Sequence, residues 1–222
     1  MLGSVRGILV VAMGLLVGLD CSVADAGNAC NSGSIRLAAQ QGSATSYIAA
    51  IRAISDDNNS VSNLFEQKLR TLGIHNANEG YLVIKKRDPG FIDALRRKQK
   101  NIDQRMLDLI ERHGLPVAST VGTIGMMSAV SVMANTFDPD YAAKFAELWK
   151  QGCAKRMLPC IGYALIEDNA LLVRDGIQRF GTISGVPFAK NTSDKEVNEE
   201  RAKMGLSPLS QACMDSITKP QS

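Results

Sequence analysis

The chain has 222 residues, of which 45% are apolar and 21% are charged, and its formal net charge is +3. This length and composition are typical of one globular domain with a hydrophobic core. Only 5% of the residues are aromatic, which argues against a base-stacking platform for single-stranded nucleic acid. The small positive charge is spread along the chain, so we expect no nucleic-acid partner.

The first 26 residues have the pattern of a signal peptide. The apolar run Ile8–Leu19 has 12 residues, which is too short to span roughly 30 Å of hydrocarbon comfortably. Residues 24–26, Ala-Asp-Ala, supply the small-x-small pattern that signal peptidase requires. We predict a mature domain over residues 27–222, periplasmic or secreted, with no stable membrane insertion. An uncleaved membrane anchor and a lipoprotein modified at Cys21 or Cys30 are the alternatives.

Export to an oxidising compartment changes the interpretation of the cysteines. Removal of the first 26 residues leaves Cys30, Cys153, Cys160 and Cys213, and an even number favours two disulfides. Of the three possible pairings we favour a local Cys153–Cys160 bridge and a long-range Cys30–Cys213 bridge. The alternative is a metal site or a nucleophilic cysteine, but the sequence has no C-x-x-C pair and no H-E-x-x-H motif. We therefore expect no metal and no cofactor.

The mature chain begins with predicted helices. Residues 46–55 have helical spacing, and we expect the sequence DDNNS at 56–60 to break that helix and to cap a second one that ends at Gly73. The sequence YLVIKK at 81–86 predicts a short strand, since it lies between Gly80 and a Pro-Gly turn.

Three further helices are predicted in the centre of the chain. The apolar residues between Ile92 and Ile110 share one face, and Gly114 ends that helix. Residues 120–137 are apolar nearly all round, which is typical of the buried centre of a bundle. A methionine-rich binding surface is the alternative for that segment. Asp138, followed by proline, predicts the start of the next helix.

The last third combines helices with a predicted hairpin. A helix is expected from Pro159 to Gly176, followed by an antiparallel β-hairpin near 177–190. Ser193 predicts the cap of another helix, and a last short helix carries Cys213. The predicted fold class is mostly α (α+β), a single helical domain with one small β-hairpin.

No catalytic motif accompanies these elements. The serine of GTISG at 181–185 lies within the predicted strand rather than at a strand-to-helix elbow. Glu167 and Asp168 are adjacent, so on a helix they point about a hundred degrees apart and do not face each other. His113 lies in the last turn of a predicted helix, where the helix dipole favours a cation. His75 lies in a polar loop.

A series of short motifs follows in order along residues 100–210. Their positions are Gly114, Pro116, Val121, Gly122, Asp138, Pro139, Asp168, Gln178, Arg179, Phe180, Gly181, Thr182, Val197, Arg201, Gly205, Leu206, Pro208 and Leu209. In these motifs the carboxy-terminal half resembles a bacterial family known as domain of unknown function 6624. The resemblance implies a shared scaffold in which glycines, prolines and apolar positions are kept.

The chain departs from the family pattern at most of the polar positions. The family's Gln-His pair falls on Ala134 and Asn135, or one position earlier, and its Arg falls on Asn169. The family's last Gln is Ile183 here, and its Trp is Leu115. In the family, His, Asp, Arg and Gln would be the natural acid/base and oxyanion-binding candidates. The resemblance therefore implies that this chain keeps the fold and loses most groups that could act.

We conclude from the sequence that the protein is a non-enzymatic, inhibitor- or immunity-like domain that binds another envelope or secreted protein. The candidate binding residues are Asp168, Gln178, Arg179, Thr182 and Asn135. One alternative is a divergent periplasmic hydrolase that uses Asp168 and Arg179, with His113 as a further candidate. A purely structural envelope component is a third class. The segment 163–185 is expected to be scaffold: a helix, a turn at Gly176 and a strand.

Overall fold

The computed structural model describes residues 37–211, 213 and 214, and the side chains from residue 44 onward. The predicted signal peptide, Cys21 and Cys30 lie outside the described residues, and with them the predicted Cys30–Cys213 bridge.

Seven α-helices make up most of the described residues. They are α1 Leu37–Thr71, α2 Ala77–Arg87, α3 Pro89–His113, α4 Ala118–Ala134, α5 Pro139–Ala154, α6 Cys160–Asp175 and α7 Asp194–Lys203. Helix α1 packs against α3 and α4, α4 also packs against α6, and α5 pairs with α6. One cluster of buried side chains runs through this arrangement and includes Tyr47, Met133, Phe145, Trp149 and Ile166. No helix of the described residues is long and apolar enough to cross a membrane.

The predicted break at 56–60 is wrong, because α1 continues through it. Asn58, although polar, lies on the buried face of α1 with 1% of its surface exposed. Its side-chain oxygen accepts a hydrogen bond of 2.8 Å from Gln99 on α3. A residue that favours turns is thus kept within a helix by a partner 41 positions away in sequence. The predicted stop is confirmed, since α1 ends at Thr71 and Gly73 has a positive φ of 68°.

The predicted strand at 81–86 is also wrong, because these residues belong to α2. The side-chain oxygen of Asn76 accepts hydrogen bonds from the backbone N–H groups of Asn78 and Glu79, which is an N-cap. Tyr81 and Ile84, three positions apart, are both buried, as expected for one face of a helix. Since a short apolar run fits either a strand or a helix, only the cap distinguishes them.

The three central helices are confirmed, with small changes at their ends. Helix α3 begins after the N-cap Asp88 and ends before Gly114, which has a φ of 80°. Helix α4 is interrupted near its start by Gly122, whose φ and ψ of 71° and 165° are not helical. The side-chain oxygen of Asp138 caps α5 by accepting from two backbone N–H groups, and Pro139 follows in the first turn.

Helices α5 and α6 form a covalently closed antiparallel pair. The predicted disulfide between Cys153 and Cys160 is confirmed, with the two Cα atoms 4.9 Å apart. The Trp149 indole N–H donates to the carbonyl of Pro159, which precedes α6. A Cβ atom on Gly162 would lie 2.5 Å from the Trp149 indole nitrogen, so only glycine allows this close approach. Helix α6 then ends at Asp175, before Gly176 in the left-handed conformation.

The predicted β-hairpin near 177–190 is wrong. Residues 177–192, hereafter the 177–192 loop, contain one isolated parallel bridge between Gln178 and Phe188, and the described residues form no strand. The backbone groups of the loop are instead bound by buried side chains, described below. Ser193 then caps α7, as predicted, and exchanges hydrogen bonds with Glu196 in a capping box.

Candidate functional site

Asp168 organises the 177–192 loop. Its carboxylate is completely buried and accepts four hydrogen bonds. One oxygen accepts from the backbone N–H groups of Arg179 and Phe180 at 2.7 and 2.8 Å. The other accepts from the N–H and the hydroxyl of Thr182 at 2.9 and 2.7 Å. These donors replace the partner strand that the predicted hairpin would have required.

Gln178 holds the second half of the same loop. Its side-chain N–H₂ donates to the carbonyls of Ile183 and Val186 at 2.7 and 2.6 Å. Its side-chain oxygen accepts from the N–H of Ile183 at 2.9 Å. All of these atoms are buried, so one amide side chain satisfies three backbone groups that are shielded from water.

A buried arginine completes the network around the loop. Arg201 of α7 is 3% exposed, and its guanidinium donates to the carbonyls of Phe180 and Ser207, each at 2.7 Å. The backbone of Phe180 is therefore held at both ends, since its N–H donates to the Asp168 carboxylate and its carbonyl accepts from the Arg201 guanidinium. Burial lowers the pKa of Arg201, and the nearby charge of Asp168 opposes that shift.

Burial raises the pKa of the Asp168 carboxyl, and the hydrogen bonds from Phe180, Thr182 and Arg179 oppose the rise. A proton on this carboxyl would face four donors and would break at least one of their hydrogen bonds. The carboxyl also has no exposed surface from which a substrate could reach it. Asp168 thus binds backbone and presents no free lone pair for acid/base chemistry.

Arg179 does not join this buried network through its side chain. Its guanidinium is about half exposed and pairs with the carboxylate of Glu200 on α7. It also lies over the ring of Phe180, 5.3 Å from the centroid. The two residues predicted to act together, Asp168 and Arg179, are therefore linked through the backbone N–H of Arg179 and not through its guanidinium.

A separate cleft is lined in part by α6. Its volume is about 40 Å³, and it is lined by Ser62, Phe65, Ala77, Asn78, Tyr81, Asn135, Thr136, Phe137, Asn169, Leu172 and Val173. These residues come from α1, α2, the turn after α4, and α6. The predicted site residue Asn135 lies here, whereas Asp168, Gln178 and Thr182 belong to the loop network.

The polar groups of the cleft are neutral. Asn169 donates from its side chain to the carbonyl of Thr136 at 3.0 Å, which ties α6 to the turn after α4. Asn135 donates weakly to the hydroxyl of Ser131 at 3.4 Å, and Asn78 donates to the carbonyl of Ser184 at 3.4 Å. None of the lining residues is acidic or basic, so the cleft offers carboxamides and a hydroxyl above an apolar floor.

Sequence reasoning missed Ser62, Asn78 and Asn169 as cleft residues. The sequence analysis named Asn169 only because it stands where the resembled family has an arginine. No local signal in the sequence marks these residues, since the cleft brings together elements that are up to about a hundred positions apart. They become a group only when α1, α2 and α6 pack.

A second buried polar group lies behind the cleft, between α1 and α3. Asn58, Gln99, Asp103 and Thr136 are each at most 1% exposed. The Gln99 N–H₂ group donates to Asn58 at 2.8 Å and to Asp103 at 3.2 Å. The Thr136 hydroxyl donates to the other oxygen of Asp103 at 2.6 Å. Burial raises the pKa of Asp103 to about 7, and the donors Thr136 and Gln99 oppose that rise.

His113 lies in neither group. Its ring stacks on Tyr47, with centroids 4.8 Å apart, and the Tyr47 hydroxyl donates to the carbonyl of Gly114. His113 is not among the hydrogen-bond partners of Asp168, which all belong to the 177–192 loop. A hydrolase that used both residues would need them to lie together. No group of three or more His, Cys, Asp or Glu side chains in the described residues is placed to hold a metal ion.

Comparisons with known proteins do not assign the chain to a family. No family model matches it, and no curated protein and no solved structure is significantly similar to it. The resemblance to the family of unknown function stays a prediction, and the case for a function rests on the geometry of the described residues.

Proposed function

We propose that the protein is an exported domain of the bacterial envelope that binds another protein and catalyses no reaction. One observation carries the proposal: the side chains with the chemistry for catalysis hold the fold together, and the accessible cleft is lined by neutral groups. The four hydrogen bonds of Asp168 are all made within the 177–192 loop. The predicted signal peptide and the Cys153–Cys160 disulfide support a role in an oxidising compartment.

The size of the cleft favours one small group from a partner. The cleft volume of about 40 Å³ is a few times the roughly 10–15 Å³ of water-accessible space that holds one water molecule. It therefore suits the tip of a partner side chain. The carboxamides of Asn78 and Asn135 can pair with an amide or a hydroxyl, and Phe65 and Leu172 suit its apolar stem.

A divergent hydrolase that uses Asp168 and Arg179 is the alternative function. It would need both side chains in one solvent-reached pocket. The buried carboxylate of Asp168 and the Glu200 ion pair of Arg179 argue against that arrangement.

The proposal is tested by capture of a partner with matched variants of the exported protein. Ser62→Leu fills the cleft from α1, and Asn63→Leu places the same side chain on the exposed neighbouring position. We expect one envelope protein to be retained by wild type and by Asn63→Leu and to be lost with Ser62→Leu. Equal retention by all three, or hydrolase activity that is lost in Asp168→Asn while the variant stays folded, would contradict the proposal.

A further inference from the structure

We propose that Asp103 is the residue that positions the wall of the cleft, and that the charge on its carboxylate sets how firmly that wall is held. The inference rests on the proposed binding function, because it assigns a control to the same cleft. Asp103 does not line the cleft itself. It acts through Thr136, which does.

The link between the two is a short chain of hydrogen bonds. The Thr136 hydroxyl donates to Asp103 at 2.6 Å, a distance typical of a hydroxyl bound to an ionised carboxylate. The same hydroxyl accepts from the backbone N–H of Asp138 at 3.2 Å. The carbonyl of Thr136 accepts from the side chain of Asn169. The carboxylate thus fixes the turn at 135–138, and this turn carries one polar wall of the cleft.

Protonation of Asp103 would weaken this link. A hydrogen bond to an ionised acceptor is roughly twice as strong as one between neutral groups. When the carboxylate gains a proton, Thr136 loses the charged acceptor that orients its hydroxyl. The turn is then held by the bond from Asn169 to the Thr136 carbonyl and by the bond from the Arg96 guanidinium to the Phe137 carbonyl. Neither bond holds the Thr136 hydroxyl, so we expect the cleft to be ordered when Asp103 is ionised and looser when it is neutral.

The amides beside Asp103 can accommodate both protonation states. In the arrangement seen, Gln99 donates to Asp103 and to Asn58, which suits an ionised carboxylate. The Gln99 oxygen and the Asn58 side-chain nitrogen are buried without a hydrogen-bond partner among the described residues. Reversal of both amides would place the Gln99 oxygen toward Asp103, where it can accept a hydrogen bond from the protonated carboxyl, and would let Asn58 donate to Gln99. The site therefore has one hydrogen-bond arrangement for each state.

The surroundings set Asp103 apart from ordinary carboxylates. Asp138, on the turn, adds negative charge and raises the pKa of Asp103 further. From α5, the Tyr141 hydroxyl donates to Gln104 and carries no charge near neutral pH. From α1, Asp57 is paired with Arg105 on the exposed face of α3 at 2.5 Å. Among the described residues, burial is thus the main influence, and it brings the pKa of Asp103 to about 7.

The test uses the labelled exported protein alone and follows two sets of NMR signals as the pH is changed. The carboxyl carbon of Asp103 reports its own proton, and the side-chain amides of Asn135 and Asn169 report the cleft. We expect the cleft signals to shift along a one-proton curve with the midpoint of Asp103. In Asp103→Asn this shift should disappear. Cleft signals that stay fixed while Asp103 titrates, or an Asp103 that stays ionised down to about pH 4, would overturn the proposal.

A second variant tests whether Asp103 acts on the cleft through the Thr136 hydroxyl or through a general loosening of the fold. Thr136→Val keeps the side-chain shape and removes the hydroxyl, so Asp103 should still titrate while the cleft signals no longer follow it. Cleft signals that follow Asp103 equally well in Thr136→Val would overturn the assigned route. Because no ligand is needed, this result is independent of the capture experiment. If wild type binds a captured partner equally well above and below the midpoint of the Asp103 titration, the proposed effect of the Asp103 charge on the cleft is overturned. The proposed binding function would be unaffected by that result.

Discussion

Two carboxylates among the described residues are fully buried, and their surroundings differ in the number of donors. Asp168 accepts four hydrogen bonds, three of them from backbone N–H groups of one loop. Asp103 accepts two, from Thr136 and Gln99, and its amide neighbours keep a buried donor and a buried acceptor that have no partner within the described part of the chain. Both side chains are fully buried, so burial alone does not separate them.

The difference in donors assigns the two carboxylates different roles. A carboxylate with four fixed donors can change its protonation state only by breaking the loop it holds, so it acts as scaffold. A carboxylate with two donors and reversible amides can exchange a proton while the fold around it persists. Buried acids are often taken as catalytic candidates, and this comparison shows that the donors must be counted first.

The largest expected effect comes from Asp168→Asn. The new N–H₂ group would face backbone N–H donors that need an acceptor, and the loop would lose charge-assisted bonds. We expect the free energy of unfolding to fall by about 3 kcal/mol or more, measured by urea denaturation at neutral pH. Asp140→Asn, at an exposed carboxylate in the first turn of α5, should cost less than about 1 kcal/mol. Equal losses in the two variants would show that the loop does not depend on Asp168.

An effect of comparable size is a pH dependence of stability that belongs to Asp103. Its pKa rises from an ordinary value of 3.8 to about 7 in the folded protein. Between these values the folded state keeps a proton that the unfolded state has released, so stability falls as the pH rises through this window. The contribution is up to about 4 kcal/mol.

Asp103→Asn isolates this contribution from the other carboxylates. The difference in unfolding free energy between wild type and the variant should change steadily from about pH 4 to about pH 7 and then become constant. Chemical denaturation at a series of pH values measures it. A difference that does not depend on pH would mean that Asp103 keeps an ordinary pKa.

The parts of the fold that could be predicted from sequence are those that depend on interactions between residues close together in the chain. The starts of α5 and α7 followed from Asp138 and Ser193, because an N-cap acts on residues two or three positions away. The Cys153–Cys160 bridge was also local, with a sequence separation of 7. The errors lay where a distant partner decides the structure. Asn58 stays helical because of Gln99.

The 177–192 loop shows the other limit of sequence reasoning. Its alternating residues fit a strand, but Asp168 and Gln178 take up the backbone groups that a hairpin would pair. Asp168 was singled out from the sequence as a polar residue of interest, and its buried position in α6 could not be known before the helices were packed. The cleft was represented only by Asn135, because most of its other polar residues, Ser62, Asn78 and Asn169, lie on three separate helices.

Gln178→Leu tests whether the side-chain amide of Gln178 stabilises the 177–192 loop. Leucine keeps the volume and leaves one N–H and two carbonyls of Ile183 and Val186 without a partner. We expect a loss of about 2–3 kcal/mol in the free energy of unfolding, with faster hydrogen exchange confined to the 177–192 loop. Gln151→Leu, at an exposed position of α5, is the control and should change stability by less than about 0.5 kcal/mol. A loss no larger than that of the control would show that the loop does not need this amide.

The smallest effect is expected when both amides of the Asp103 site are replaced together. Asn58→Leu with Gln99→Met removes both partners of the Asn58–Gln99 hydrogen bond together, and apolar replacements of similar shape are then nearly neutral. We expect the double variant to differ from wild type by about 1 kcal/mol or less at low pH, where Asp103 is neutral. Its Asp103 should titrate at a higher pH than in wild type, because the ionised form loses a charge-assisted hydrogen bond from Gln99 and the neutral form loses only a weaker neutral one. A loss above about 2 kcal/mol at low pH, or an unchanged midpoint in the NMR titration, would mean that these amides hold the core as firmly as Gln178 holds its loop.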